Sequence, residues 1–243
     1  MTLHFLLAEP SHAAPGEDVL LTGTEAHHAA TVRRVRIGEA VTIGDGAGTW
    51  FEGECVTVTP REVIVRVASR REIPAPIPRV TLVQALAKGD RDELAIQAAT
   101  ELGVDSVVPW QAARSVSRWD AAKAEKGRAR WATIVREAAK QAHRPWLPSV
   151  EPVQTTKQLL TRTQSARVLI LEPGAQNALS GLDFSGTSDI VLVVGPEGGI
   201  TEEELAQFTS SGATLVRLGE TVLRTSTAGP AAIAVISATL GRW

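Results

Sequence analysis

The segment Glu72-Ile-Pro-Ala-Pro-Ile-Pro78 divides this chain into two stretches with different hydrophobic patterns. Proline locks φ and lacks an amide proton. Three prolines within five residues therefore stop a helix or a central strand and favour an extended, semi-rigid connector. We place the domain boundary there, with a first domain over 1–72 and a second over 73–243. Before the prolines, Val19–Leu21, Ala40–Ile43, Trp50–Val58 and Glu62–Ala68 alternate or run apolar and are rich in β-branched residues, as strands are. Gly44-Asp-Gly-Ala-Gly48 reads as a hairpin turn. No helix follows it, so it is not a dinucleotide fingerprint. One short helix is predicted near Thr24–Glu25, reaching His27, His28 and Val32. The first domain is expected to be a small β-barrel.

After the prolines, strands and helices alternate. Val80–Leu86, Val104–Val108, Val168–Leu171, Ile190–Val194 and Leu215–Leu218 are apolar runs of strand length. Asp90 is placed to cap a helix carrying Leu94, Ile96, Ala98 and Leu102, which Gly103 stops. Ala121–His143 carries Trp131, Ile134, Val135 and Ala138 at helical spacing. Thr201 caps a helix from Glu202 to about Ser211, with three acids in its first turn. Ala228–Leu240 is a final apolar helix. Such alternation implies an α/β domain around a largely parallel sheet.

Net charge is only −2, but residues 79–150 hold 12 Lys or Arg against 8 Asp or Glu, so the middle of the chain is its basic part. A local basic face binds phosphate even when the whole protein is acidic, and a solvated helix face is the competing reading. The single cysteine, Cys55, excludes a disulfide framework and a cysteine-based zinc site, and no histidine pair has ligand spacing. No metal is expected. No N-terminal apolar segment resembles a signal peptide, and no apolar run is long enough to span a bilayer, so a cytoplasmic location without a membrane partner is expected.

In open α/β sheets, ligands bind outside the carboxyl ends of the strands. Three strand ends carry unusual residues: Leu171-Glu172-Pro173-Gly174; Gly195-Pro196-Glu197-Gly198-Gly199-Ile200-Thr201; and Leu218-Gly219-Glu220-Thr221-Val222-Leu223-Arg224-Thr225. Glycine lets backbone groups approach a ligand closely, and Gly199 is the position where a valine is expected to fill that approach. A plain strand-to-helix turn is the competing reading of residues 195–199. A phosphate loop lacks its Gly-Lys-Ser/Thr, and a hydrolase elbow lacks its Gly-x-Ser-x-Gly.

Gly195–Gly199, followed by Leu218-Gly-Glu-Thr-Val-Leu-Arg-Thr-Ser-Thr-Ala228, resembles the signature of the RsmE-like 16S ribosomal RNA uridine N3-methyltransferases of the SPOUT superfamily. Lys88-Gly89-Asp90, Glu101-Leu102-Gly103-Val104, Arg114-Ser115, Arg130-Trp131, Glu137–Gln141, Arg144 and Pro148 match as well. So do His28, Val32–Arg36, Gly38-Glu39 and Asp45-Gly46, so the resemblance covers nearly the whole chain. The chain departs from the pattern at Ser226, where the family has Glu, and at Ala98, where it often has Lys. No catalytic role is expected of either.

The resemblance implies a SPOUT-type parallel-sheet methyltransferase domain with a C-terminal trefoil knot within about 167–243, preceded by a PUA-like β-barrel, in a homodimer. It implies S-adenosyl-L-methionine held by Leu171, Glu172, Gly195, Pro196, Glu197, Gly198, Gly199, Ile200, Leu218, Gly219, Leu223 and Thr225. Methylation of uracil N3 needs the N3 proton removed or the resulting charge stabilised. Glu197 is the candidate base and Arg224 the candidate anion stabiliser. Arg33, Arg34, Arg36, Arg114 and Arg144 are the candidate RNA contacts, with 16S ribosomal RNA or the assembled small ribosomal subunit as partner. Three other readings stand beside this one, of which a nucleotide-binding enzyme outside methyl transfer lacks a phosphate loop. A ribose 2'-O-methyltransferase of the same superfamily usually carries a Ser-Leu-Asn-rich final motif that residues 223–227 do not match. A non-enzymatic RNA-binding protein has no use for intact glycine loops.

Overall fold

A computed structural model describes residues 2–243, and their contacts fall into two compact units. The first comprises residues up to Ala75 together with Ala139–Leu147, and the second comprises Pro76–Ala138 and Pro148–Trp243. A division at 72/73 assigns residues 139–147 to the second domain, whereas their contacts lie with the first.

The first unit contains β1 (Leu3–Leu6), β2 (Asp18–Thr22), α1 (Gly23–His27), a π-helical turn over His28–Val32, β3 (Ala40–Gly44), β4 (Thr49–Val58) and β5 (Glu62–Glu72). The strands form a curled sheet in the order β1-β3-β4-β5-β2, antiparallel except for the β1–β3 pair. β1 was not foreseen, because Leu3-His-Phe-Leu6 is only four residues long, too short for a clear alternation. Side chains alternate along β2 and β4, and Val19, Leu21, Phe51, Cys55, Val63 and Val65 form a buried core.

Residues 139–147 close this unit. The Pro145 carbonyl accepts from Gly48 N at 3.1 Å, and Leu147 N donates to the Gly46 carbonyl at 2.9 Å. The Trp146 indole nitrogen donates to the Ile73 carbonyl at 2.9 Å. Gly48, at φ +103°, lies against the Trp146 ring so closely that a Cβ there would stand 2.6 Å from it. Lys140 pairs with Glu25 at 3.3 Å, and both side chains are nearly buried.

The second unit contains β6 (Val80–Ala85), α2 (Arg91–Glu101), β7 (Ser106–Gln111), most of α3 (Ala121–Gln141), β8 (Ser149–Val150), β9 (Gln154–Thr155), α4 (Thr156–Leu160), β10 (Arg167–Leu171), β11 (Asn177–Ala178), β12 (Ile190–Val194), α5 (Glu202–Ser210), β13 (Thr214–Arg217) and α6 (Thr225–Thr239). Its sheet runs β11-β13-β10-β12-β6-β7-β8, with β9 also on β7, and every pairing is parallel. Val83, Val168, Ile170, Val191 and Val193 point to the face that also buries Leu159 of α4 and Phe208 of α5. Gly229 of α6 sits on the opposite face, against Leu82 and Val194, where α6 also packs on α2.

Three sequence expectations shift. β7 begins later and continues through Pro109 to Gln111, because Pro109 falls in the gap between β8, paired at Ser106–Val107, and β9, paired at Trp110–Gln111, where the ladder needs no donor. Asp90 occupies the cap position of α2 without a side-chain cap bond. Asp92 instead accepts from Ala87 N at 3.3 Å. α6 starts at Thr225, three residues before the expected start, so Pro230 lies in its interior instead of its first turn. The expected cap at Thr201 is present as a capping box, in which Thr201 Oγ1 accepts from Glu204 N and Glu204 accepts from Thr201 N. Among the described residues, no helix is long and apolar enough to cross a membrane, and no cluster of three His, Cys, Asp or Glu is placed to hold a metal ion.

Candidate functional site

β13, β10 and β12 are adjacent and parallel, so the loops leaving their carboxyl ends emerge side by side. Between them lies a cavity of about 460 Å³, a size suited to a small-molecule ligand. It is lined by Leu171, Glu172 and Pro173 from the first loop and by Gly195, Pro196, Glu197, Gly199 and Ile200 from the second. Leu218, Gly219, Thr221, Val222, Leu223, Arg224 and Thr225 come from the third. Every residue singled out in sequence for small-molecule binding lines it except Gly198, whose Cα faces the Arg114 side chain instead. Arg91, Arg217, Val194, Val216 and Ala228 line it too and were not foreseen.

The two glycines of the second loop work differently. Gly195 has no room for a side chain, since a Cβ there would stand 2.7 Å from Ile200 Cγ1. Gly199 has space, with only an Arg114 nitrogen 4.0 Å away, but its φ of +72° lies in the left-handed region. Gly195 is thus confined by the protein's own Ile200, whereas Gly199 leaves open space beside it and holds a left-handed backbone angle.

Three arginines line the cavity. Arg91 pairs with Glu197 at 2.9 Å. Arg217 donates to the carbonyls of Ala175 and Gln176, at 2.8 and 2.6 Å. Arg224, at the N-cap of α6, is exposed and makes no ion pair among the described residues. Glu197 is already committed, because its Oε1 accepts from both Arg91 and Lys88 N, the latter at 3.0 Å. Burial raises the pKa of its carboxyl. Hydrogen bonds from its own amide, the Lys88 amide and Arg91 outweigh burial and hold it below the ordinary carboxylate value.

The expected RNA contacts are dispersed. Arg33, Arg34 and Arg36 lie on the exposed turn after the π-helix of the first unit, next to exposed Val32 and Ile37, and make no ion pair among the described residues. Arg34 holds φ +55°, rare for a residue with a Cβ. Arg144 is half-buried in residues 139–147 of that unit. Arg114, in the second unit, donates to the Gly198 carbonyl at 2.9 Å and so braces the glycine loop. Much of the basic excess of residues 79–150 is spent on the protein itself. Arg118 donates to the Ala113 carbonyl, Arg128 to the Val150 carbonyl, and Arg130 makes a two-pronged pair with Glu93.

Comparison with known proteins agrees with this geometry. The RNA methyltransferase domain family matches residues 74–237, and the RNA methyltransferase PUA domain family matches residues 21–68. The chain is 43% identical over 94% of its length to the ribosomal RNA small subunit methyltransferase E of Mycobacterium bovis, covering 89% of that protein. It is 36% identical over 89% of its length to the same-named protein of Bacillus subtilis, covering 88% of it. The crystal structure of a ribosomal RNA small subunit methyltransferase E from Neisseria gonorrhoeae bound to S-adenosyl methionine superposes with a TM-score of 0.86 at 29% identity, covering 98% of both chains.

Proposed function

Because this chain belongs to the RNA methyltransferase domain family and carries that family's PUA domain, we propose that it methylates N3 of one uridine in 16S ribosomal RNA with S-adenosyl-L-methionine as donor. The observation that carries the reading is the cavity between three adjacent strand ends. Its apolar floor of Ile200, Leu218 and Leu223 suits an adenine, and its loops present backbone groups at glycines where polar parts are held. The similar Neisseria gonorrhoeae protein was crystallised with this donor bound. Bound here, S-adenosyl-L-methionine would supply an electrophilic methyl group on sulfur.

The protein's own contribution is orientation and charge. The loops fix the line of approach, from which much of the rate of a displacement comes. Arg224 is the cation of the cavity that is unpaired among the described residues, and we assign it to the negative charge that develops on a uracil oxygen as N3 loses its proton. Glu197 is assigned a clamping role, because a carboxylate held by Arg91 and the Lys88 amide with a lowered pKa is a poor base. We take residues 167–243 to follow the SPOUT trefoil-knot path. Ala231, Ala234, Val235 and Ala238 form an i, i+3, i+4, i+7 stripe on α6 that is not fully buried, which supports a homodimer of twice the chain mass by light scattering. Action in the cytoplasm, on free RNA or on the assembled small subunit, belongs to the same reading.

Mapping modified uridines in 16S RNA by mass spectrometry tests it. A strain lacking the protein is expected to lose a single N3-methyluridine. The wild-type gene should restore the mark, while Arg224→Ala protein should show kcat lower by roughly 10²–10³-fold, the usual cost of losing one charge-stabilising donor. An unchanged set of modified uridines overturns the reading.

The exposed arginines of the first unit make a separate expectation. Each phosphate contact is worth roughly one unit in the slope of log affinity against log salt. Changing Arg33 and Arg34 together to Ala should weaken RNA binding and reduce that slope by roughly two units, with donor affinity unaltered. An unaltered slope removes this turn from the RNA surface.

A further inference from the structure

Gln84 is fully buried at the carboxyl end of β6, in register with Val194, the residue before the glycine loop. It lines no part of the cavity. Its amide nitrogen donates to the Ala85 carbonyl at 3.2 Å and to Thr225 Oγ1 at 2.9 Å. Thr225 Oγ1 in turn donates to the Gly195 carbonyl at 2.8 Å.

The direction of this relay is forced. Turning the amide over would set its oxygen against the Ala85 carbonyl, two acceptors face to face, so the nitrogen must point inward and both its protons are used. Thr225 Oγ1 accepts one of them. Its single hydroxyl proton then belongs to Gly195, and none is left for a ligand in the cavity. The Thr225 hydroxyl therefore has no proton to offer the cavity, although its place in the wall suggests a direct contact.

The other half of the amide is the telling one. Gln84 Oε1 is buried and has no hydrogen-bond partner among the described residues. An orphaned buried acceptor costs stability, and replacing it with an apolar group of the same shape is often neutral or favourable. A glutamine at this place sets an unmet acceptor inside a buried strand, in register with Val194. We propose that Gln84 is a positioning residue that aims the Thr225 hydroxyl at Gly195 and so fixes the spacing between the second and third loops of the cavity. The affinity consequence rests on the methyl-donor reading above. The loop consequence does not.

The two roles a buried glutamine can have predict opposite results for Gln84→Met, which keeps length and volume and deletes the amide. A packing role predicts a lower melting temperature with affinity following it. A positioning role predicts a melting temperature equal to or above wild type, together with a five- to tenfold rise in the Kd for S-adenosylmethionine measured by calorimetry, a range of about 1–1.4 kcal/mol. Thr225→Val should weaken binding at least as much, and Thr225→Ser, which keeps the hydroxyl, should bind like wild type. Amide hydrogen exchange over residues 195–199 of the unliganded protein is expected to quicken in Gln84→Met and Thr225→Val and to stay unchanged in Thr225→Ser. Unchanged exchange in Gln84→Met, or a fall in melting temperature that accounts for the lost affinity, overturns the proposal. A wild-type protein that binds no S-adenosylmethionine overturns the donor reading instead, and the exchange data then decide the relay alone.

Discussion

Gly195→Val is expected to reduce affinity for S-adenosylmethionine by at least 100-fold while leaving the fold intact, and Gly195→Ala by roughly tenfold, each tenfold being about 1.4 kcal/mol. The cause is steric. A single methyl group at this position meets Ile200 Cγ1 at 2.7 Å, well inside contact distance. Ile200 is nearly buried and packs with Phe208 and Val193, so it has little freedom to retreat. Relief comes instead from the loop, which moves into the cavity whose wall both residues form. Gly199→Ala gives the contrast. Space is open there, and the cost is the left-handed backbone angle, about 1 kcal/mol, so a loss of only severalfold is expected. Calorimetry on variants whose thermal transitions remain cooperative measures the series. Equal affinities for Gly195→Ala and wild type would refute the placement of the donor against this loop.

The largest expected loss of stability lies at Glu204. Its carboxylate is nearly buried and fully engaged. Oε2 accepts from Thr201 N and Oγ1 at 3.2 and 3.1 Å, and Oε1 accepts from Ala113 N and Thr156 Oγ1 at 2.9 and 2.8 Å. One side chain thus caps the start of α5, ties α4 to it, and anchors the loop that carries Arg114 to the glycine loop. Glu204→Ala strands at least two backbone amides and two hydroxyls, and a loss of about 3 kcal/mol is expected. In a chain of this size that lowers Tm by roughly 6–12 °C. Glu204→Gln keeps the shape but sets an NH₂ against a backbone amide, and about half the loss is expected. Glu203→Ala, one residue away and exposed, is the control. If Glu204→Ala melts no lower than Glu203→Ala, the carboxylate does not hold these elements together.

The parts legible in the sequence were the local ones. Glycines 195, 198 and 199 and the arginine at 224 carry their meaning in neighbouring residues, and strand-end loops of a parallel sheet have a known location. The cap at Thr201 was legible for the same reason, since its partner is three residues away. What escaped depends on chain distance. Arg91 reaches Glu197 across 106 residues and Gln84 reaches Thr225 across 141, and no pattern of spacing announces either. Glu197 lines the cavity, but its chemistry turns on a partner that only folding supplies. Pro109 and Pro230 misled in the opposite way, as local signals that tertiary packing overrode.

The discontinuity of the first unit has a consequence for the order in which the chain can mature. Translation delivers the five strands by residue 72, but Lys140 and Trp146 arrive only after most of α3 has been made. At bacterial elongation rates of about 5–20 residues per second, the roughly 70 intervening residues take some 4–14 s. Throughout that interval Glu25 lacks its cation, and the turn at Gly46 and Gly48 lacks the backbone and indole that cover it. The N-terminal unit therefore cannot complete its fold as an autonomous early product on the ribosome. It waits, exposed, for a piece of chain that the next domain has to be half-built to supply.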